Sequence, residues 1–225
     1  MSEPAPSAIY GTPVTLPRGP HQLTEEQVAE SQRTRLMSSM AELMAERGYA
    51  GVTIGDLVSR AGVSRTSFYQ QFANKQECLF AAYDQSAAVI AAAITPDFDP
   101  ARPWRRHLET TIGRYLDALS SDLTAARAFL VEIDAAGRAA REHDRATSRA
   151  FATLLAQQHA EVRAHNPRLG PLPPRAYLGV VLAVRDLIRE ALEQEPEPDL
   201  RELASDLATF AAAVFEGAAA ASTEE

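Results

Sequence analysis

The chain has 225 residues, is 46% hydrophobic and carries a formal charge of −8, so it has material for a real core and is not globally disordered. No run of about 18 apolar residues argues for a membrane span, and no basic start with a following apolar run argues for a secretory signal. Cys78 is the single cysteine, which excludes an intrachain disulfide and fits a reducing cytoplasm. Residues 1–22 hold five prolines and read as a flexible arm. Thr24 and Gln27 then have capping-box spacing, opening a helix that runs to about Arg47 and stops at Gly48. Thr53 caps a second helix with Asp56 in its first turn, and Ser64 caps a third that runs to about Phe72. Asn74 caps a fourth, from Lys75 to about Ile94.

Pro96 and Pro100 punctuate the chain before Pro103 opens a helix marked by Trp104, Leu108, Ile112, Tyr115 and Leu119. The next runs from Leu123 through Ile133 and ends at Gly137. A long helix covers about Arg138 to His165. The segment 166–174, with four prolines and a glycine, is a loop. Two final helices span about Arg175 to Gln194 and Pro198 to Ala221. No segment shows strand alternation, so the expectation is an all-α fold of about nine helices. It is divided into the arm 1–22, a helix–turn–helix domain at 23–75 and a helical domain at 76–225.

The segment from Thr53 to Phe72 carries the chemistry. Two short helices meet at Ala61-Gly62-Val63-Ser64, and the second begins with small, polar and cationic groups: Arg65, Thr66, Ser67 and Gln70. Arg pairs with guanine O6/N7, Gln with adenine, and Thr offers its methyl to thymine. Phe68 and Phe72, four apart, share the opposite face and would lock the helix onto its scaffold. Tyr69 can place its hydroxyl on a phosphate. The helix N-termini at Thr53, Ser64 and Lys75 can present backbone N–H groups to phosphates. Between residues 31 and 75 six cations (Arg33, Arg35, Arg47, Arg60, Arg65, Lys75) stand against three carboxylates (Glu42, Glu46, Asp56). A locally cationic segment in an acidic chain suits DNA binding while disfavouring indiscriminate association.

These spacings resemble the tetracycline-repressor (TetR) family of bacterial transcription regulators. The matching positions are Gly48-Tyr49, Thr53-Ile54-Gly55-Asp56-Leu57, Ala61-Gly62-Val63-Ser64, Phe68-Tyr69, Phe72, Asn74-Lys75 and Leu79. The resemblance implies that Thr53, Arg65, Thr66 and Gln70 face bases or the adjoining backbone, that Tyr69 and Lys75 clamp phosphates, and that Arg33 and Arg35 add phosphate contacts. Arg18, in the arm, would enter the minor groove. Ser67 occupies a position where the family often has Gly or a small residue.

The last two helices carry apolar stripes that include Tyr177, Val181, Val184, Ile188, Leu207, Phe210 and Val214, more than one core needs. In the resembled family these helices pair into a dimer. A two-fold dimer sets the reading heads about 34 Å apart and predicts a palindromic operator. Trp104, His107, Tyr115, Phe129, Glu132, Phe151 and His159 are candidates to line a pocket for an unknown small-molecule effector, with Glu132 as an anchor for a cationic one. Aromatic residues at helical spacing also serve as plain core, so each has that second reading.

The sequence holds no nucleophile elbow, phosphate-binding glycine loop or cysteine pair, and His159 and His165 lie six apart, outside zinc-motif spacing. No catalytic residue, metal or cofactor is therefore expected. The expectation is a cytoplasmic, nucleoid-associated, homodimeric repressor released from operator DNA by a ligand, with no membrane partner. The alternative is a helical protein-interaction adaptor with a degenerate helix–turn–helix.

Overall fold

The computed structural model describes residues 9–10, 24–166, 169–194 and 199–221. Among them are nine α-helices and no strand: α1 (Glu25–Arg47), α2 (Ile54–Ala61), α3 (Arg65–Gln71), α4 (Lys75–Ile94), α5 (Trp104–Ser120), α6 (Leu123–Leu130), α7 (Arg138–His165), α8 (Pro174–Leu192) and α9 (Ala204–Ala221). The all-α class is as expected. Two boundaries differ from the sequence reading. The helix expected through Ile133 ends at Leu130 and continues as a 3-10 turn, Glu132–Ala136. The last helix is preceded by another 3-10 turn, Leu200–Leu203, opened by Asp199, whose side chain accepts from the Arg201 amide. Arg18 and most of the 1–22 arm lie outside the described residues.

The chain divides into two compact units, and the division is not a single cut near residue 75. The first unit is Met1–Val89 together with Ser121–Arg141; the second is Ile90–Ser120 with Glu142–Glu225. Thus α6 and the turn after it leave the helical half of the sequence and complete the head. The reason is packing. Ala125, Ala126 and Ala128 are almost fully buried, and small side chains let α6 lie close against α1, beside Phe129 and Ile133. On α1 the buried stripe is Leu36, Met37, Met40, Ala41, Leu43 and Met44, joined by Leu57 of α2, Phe68 of α3, and Cys78, Leu79, Ala82 and Tyr83 of α4.

Ile9 and Tyr10 join the same core, and the Tyr10 hydroxyl donates to the Ala82 carbonyl at 3.0 Å. The flexible-arm expectation does not extend to this pair. By length and composition α4 is long and apolar enough to cross a membrane, at a mean hydropathy of 1.2, contrary to the apolar-run count above. Its Cys78, Leu79, Ala82 and Tyr83 are nonetheless core residues of the head.

In the second unit α5 packs on α9, whose Ala208, Ala211 and Ala212 are buried and permit close approach. α8 contributes Tyr177, Val180, Val184, Ile188, Ala191 and Leu192 to this core. Ion pairs join its elements: Arg185 on α8 with Asp144 on α7, and Arg201 with Asp117 on α5 at 2.7 Å. The first is largely buried and the second exposed, so only the first is expected to matter energetically.

Candidate nucleic-acid interface

The helix–turn–helix is held by caps at every end. Thr53 Oγ1 accepts from the Asp56 amide at 3.2 Å, and the Asp56 carboxylate accepts from the Thr53 amide at 2.9 Å, a complete capping box. The hydrogen bonds from Thr53, and then the Arg47 charge, hold the Asp56 carboxyl below the usual carboxylate range. α2 ends at Gly62, whose φ of 62° and ψ of 41° place it in the left-handed region that glycine enters at no steric cost. Ser64 Oγ then accepts from the Ser67 amide at 2.9 Å and opens α3. One face of α3 carries Phe68, fully buried, next to buried Phe72, with ring centroids 5.8 Å apart. The other face is bare. Arg65, Thr66, Tyr69 and Gln70 are exposed, Tyr69 at 54% despite its ring.

The six cations sort themselves by partner. Arg60 makes a two-pronged bond to Glu46, at 2.8 Å on each side, and a third bond to Glu42 at 3.0 Å, tying α2 to α1. Those bonds hold the Glu46 carboxyl below its usual range. Arg47 pairs with Asp56 at 3.2 Å. Three others meet carbonyls. Arg35 Nη1 donates to Ala61 O at 3.0 Å, Arg33 Nη1 to Gln71 O at 3.2 Å, and Lys75 Nζ to Tyr49 O and Val52 O at 2.9 and 2.7 Å. Arg33 also lies over the Phe72 ring at 4.5 Å and Lys75 over the Tyr49 ring at 3.9 Å. Partial burial lowers the Lys75 pKa from its ordinary value.

The sequence reading gave Arg33, Arg35 and Lys75 to phosphates. The structure gives them a first task, satisfying carbonyls at the ends of α2, α3 and the 49–51 turn, where helices leave acceptors unpaired. A carbonyl does not neutralise a cation, so their positive charge persists beside α3. Arg65 stands exposed at the first position of α3.

The pocket candidates fall in both units. Trp104, His107 and His159 come together in the second: the Trp104 ring is 5.0 Å from His107 and 4.8 Å from His159. Tyr115 lies apart from them, its hydroxyl pKa raised by burial and influenced by Arg185 and Asp144. Phe151 is half-buried on α7. Phe129 and Glu132 belong to the head. Phe129 packs edge-on against Tyr83 at 5.5 Å, and Glu132 approaches Gly48 so closely that a Cβ there would sit 3.2 Å from its carboxylate.

The dimer candidates divide by burial. Tyr177, Val184, Ile188 and Leu207 are buried inside their own unit, and Val181 and Val214 are half-buried. The stripes seen in sequence are mostly internal core. Phe210 remains exposed at 38%, as do Leu182 and Leu187 of the apolar rows on α8, at 44% and 43%. Their exposure, which packing decides, was not legible in the sequence. Tyr10 was missed; an isolated Ile-Tyr pair in a Pro-rich arm was the only hint.

An exposed polar first turn, a buried aromatic base and caps at each end define a DNA-reading helix–turn–helix of a bacterial regulatory protein. Residues 36–82 match the family described as "Bacterial regulatory proteins, tetR family", and the head of this chain is a member of it. The Tn10 TetC protein of Escherichia coli is 37% identical over 82 residues, 36% of this chain and 41% of that protein. The HTH-type transcriptional regulator YxbF of Bacillus subtilis is 31% identical over 90 residues, 40% of this chain and 24% of YxbF. The chain therefore matches less than half the length of either relative. Solved structures extend the likeness of the fold. The fatty acid degradation regulator FadR of Bacillus halodurans has a TM-score of 0.73 at 16% identity, covering 83% of this chain and 95% of that one. FadR of Bacillus subtilis, solved with stearoyl-CoA, has a TM-score of 0.71 at 16% identity, covering 81% and 97%.

Proposed function

We propose that this chain is a homodimeric transcriptional repressor that binds a palindromic operator and is released by a small-molecule ligand. The observation that carries the DNA-binding part is the bare face of α3. Arg65, Thr66, Tyr69 and Gln70 project from a helix whose opposite face is locked by Phe68 and Phe72. Folding alone does not call for that polar, cationic turn. Arg65 and Gln70 are suited to base edges, and Thr53, Ser64, Ser67 and Tyr69 to the backbone on either side. The residual charge of Arg33, Arg35 and Lys75 attracts the phosphate backbone without each needing a phosphate in contact.

A reading helix of seven residues specifies few bases, so two heads are needed for useful specificity. Leu182, Leu187 and Phe210 supply exposed apolar surface on α8 and α9 for a two-fold pairing. Ligand response is supported by the fold, which in B. subtilis FadR holds stearoyl-CoA. Action on DNA places the protein in the cytoplasm, at the nucleoid. Selection of bound DNA from random sequence with the purified protein tests the proposal. The expected product is an inverted repeat whose half-site centres lie about one helical turn apart. Enrichment of no sequence, or of a single asymmetric half-site, contradicts it.

A further inference from the structure

Within the second unit, α5, α7, α8 and α9 bring five rings together. Trp104 and His159 lie 4.8 Å apart, and Phe215 sits 5.0 Å from Trp104 and 4.8 Å from His159. Tyr177 closes the cluster 5.8 Å from His159, and His107 stacks on Trp104. In this apolar setting two nitrogens are fully buried and lack a hydrogen-bond partner, Trp104 Nε1 and His159 Nε2. Buried polar atoms are nearly always satisfied, so each needs an explanation. The residues carrying them are only 4% and 1% exposed.

Three other polar atoms of the cluster are already engaged. His159 Nδ1 shares a hydrogen with the Tyr177 hydroxyl at 2.9 Å, and His107 Nε2 shares one with Gln158 Oε1 at 3.2 Å. His107 also borders a surface notch with room for about one water. The notch leads from solvent to the ring stacked on Trp104.

We infer that Trp104 Nε1 and His159 Nε2 are the polar anchor of the effector site, and that the effector is an uncharged, mostly apolar molecule presenting an oxygen acceptor. This rests on the ligand-released regulator proposed above and names the chemistry of its ligand. Indole N–H only donates, so its partner must accept. When the Tyr177 hydroxyl donates to Nδ1, His159 carries its proton on Nε2, and both buried N–H groups are then donors in need of an acceptor such as a carbonyl oxygen. Charged ligands are disfavoured by the same surroundings. The cluster offers rings and no carboxylate, and the His159 ring stays neutral because burial pushes its pKa down to about 4. Arg163, whose charge reaches His159, donates from Nε to the Leu169 carbonyl at 3.1 Å and keeps that charge, so an anionic probe tests it directly. At the notch Arg102, Arg106 and Arg114 are each paired with a carboxylate, of Asp99, Glu109 and Asp97. The carboxylate beside each of them weakens its attraction for an anionic head group. Entry is assigned to the notch, with the His107 ring swinging aside.

Trp104 is the only tryptophan, so its emission reports on the site in the intact protein. The probes are 2-decanone, decanoate and decylammonium, equal chains with neutral, anionic and cationic heads. The expected result is a saturable change in Trp104 emission with 2-decanone at least tenfold tighter than with either ion, weakened at least tenfold by His159→Phe. The wild-type charge series stands without any variant. A charged probe binding as tightly as the ketone overturns the assignment. So does an unchanged emission with all three, which leaves a bound water as the partner of both nitrogens. Operator release by decanoate with Trp104 unaffected overturns this site while supporting a ligand-released regulator. Ketone bound at Trp104 with operator retained supports the site and overturns the release.

Discussion

Arg35 and Arg65 separate scaffold from reader in one pair of variants. Arg35 Nη1 donates to Ala61 O at 3.0 Å and reaches Gly62 O at 3.5 Å, and its side chain is half-buried between α1 and the turn. A hydrogen bond to a charged group contributes about 1.5–3 kcal/mol when buried, so at half burial, with some loss of stem packing, Arg35→Ala is expected to cost about 1–2 kcal/mol of stability. Arg65 is exposed at the start of α3. Arg65→Ala is expected to change stability by no more than about 0.5 kcal/mol. Operator binding reverses the order. Loss of an Arg–guanine pair costs about 1–3 kcal/mol at the cognate site and little elsewhere; loss of a phosphate contact flattens the slope of log K against log salt by about 1. Urea denaturation followed by circular dichroism gives the first quantity, and operator titration at several salt concentrations the second. The reasoning is refuted if Arg65→Ala melts as early as Arg35→Ala, or if it binds operator as tightly as wild type with an unchanged salt slope.

Further outcomes follow from the same geometry. Gly48 has φ 68° and ψ 160°, a region nearly reserved for glycine, and Glu132 would crowd a Cβ there at 3.2 Å; Gly62 is αL with only ordinary contact at 3.7 Å from Arg35. Gly48→Ala is therefore expected to cost about 1–3 kcal/mol, and Gly62→Ala about 1–2, in the same denaturation assay. Adding Glu132→Ala should relieve the crowding at Gly48 but not its backbone strain. His159 is held at about 4 against an ordinary 6.5, so the unfolded chain takes its proton first. Its contribution is present above pH 6.5 and is lost as pH falls through 4, and His159→Phe should flatten that dependence in melts across the range. Burial lowers His107 in the same direction. Phe210→Glu with Leu182→Glu should yield a folded monomer by sedimentation, with operator affinity much reduced. A persistent dimer would place the interface elsewhere.

Much of the head was legible in the sequence, for physical reasons that act locally. Caps at Thr24, Thr53, Ser64 and Asn74 declare themselves by hydrogen bonds three residues long, and all four form. Phe68 and Phe72 share a face because a helix repeats every 3.6 residues. What sequence spacing does not encode is the partner across space. Tyr177 and Leu207 have the pattern of an interface, yet the helix of Leu207 packs on α5 and the Tyr177 ring lies against His159 and Phe215, a choice made by tertiary packing. Phe129 and Glu132 sit between small residues in either unit, and only the fit of α6 on α1 assigns them to the head. Arg33, Arg35 and Lys75 read as phosphate ligands in the sequence, and their second set of partners, the carbonyls at the ends of α2, α3 and the 49–51 turn, is set only by the tertiary fold.

The head includes Ser121–Arg141, which follow α5 in the chain, and this has a consequence for synthesis. Emerging from the ribosome, the first 94 residues carry every DNA-reading group but not the helix that covers α1. Leu36, Met40 and Met44 then lack the α6 side of their core until about fifty further residues are made. The matched family segment is therefore expected not to fold well as a separate cassette. A fragment ending after α4 is expected to expose that apolar face and to aggregate or be degraded, whereas the chain through residue 141 supplies the missing lid. Any attempt to graft this reader onto another protein must carry α6 with it.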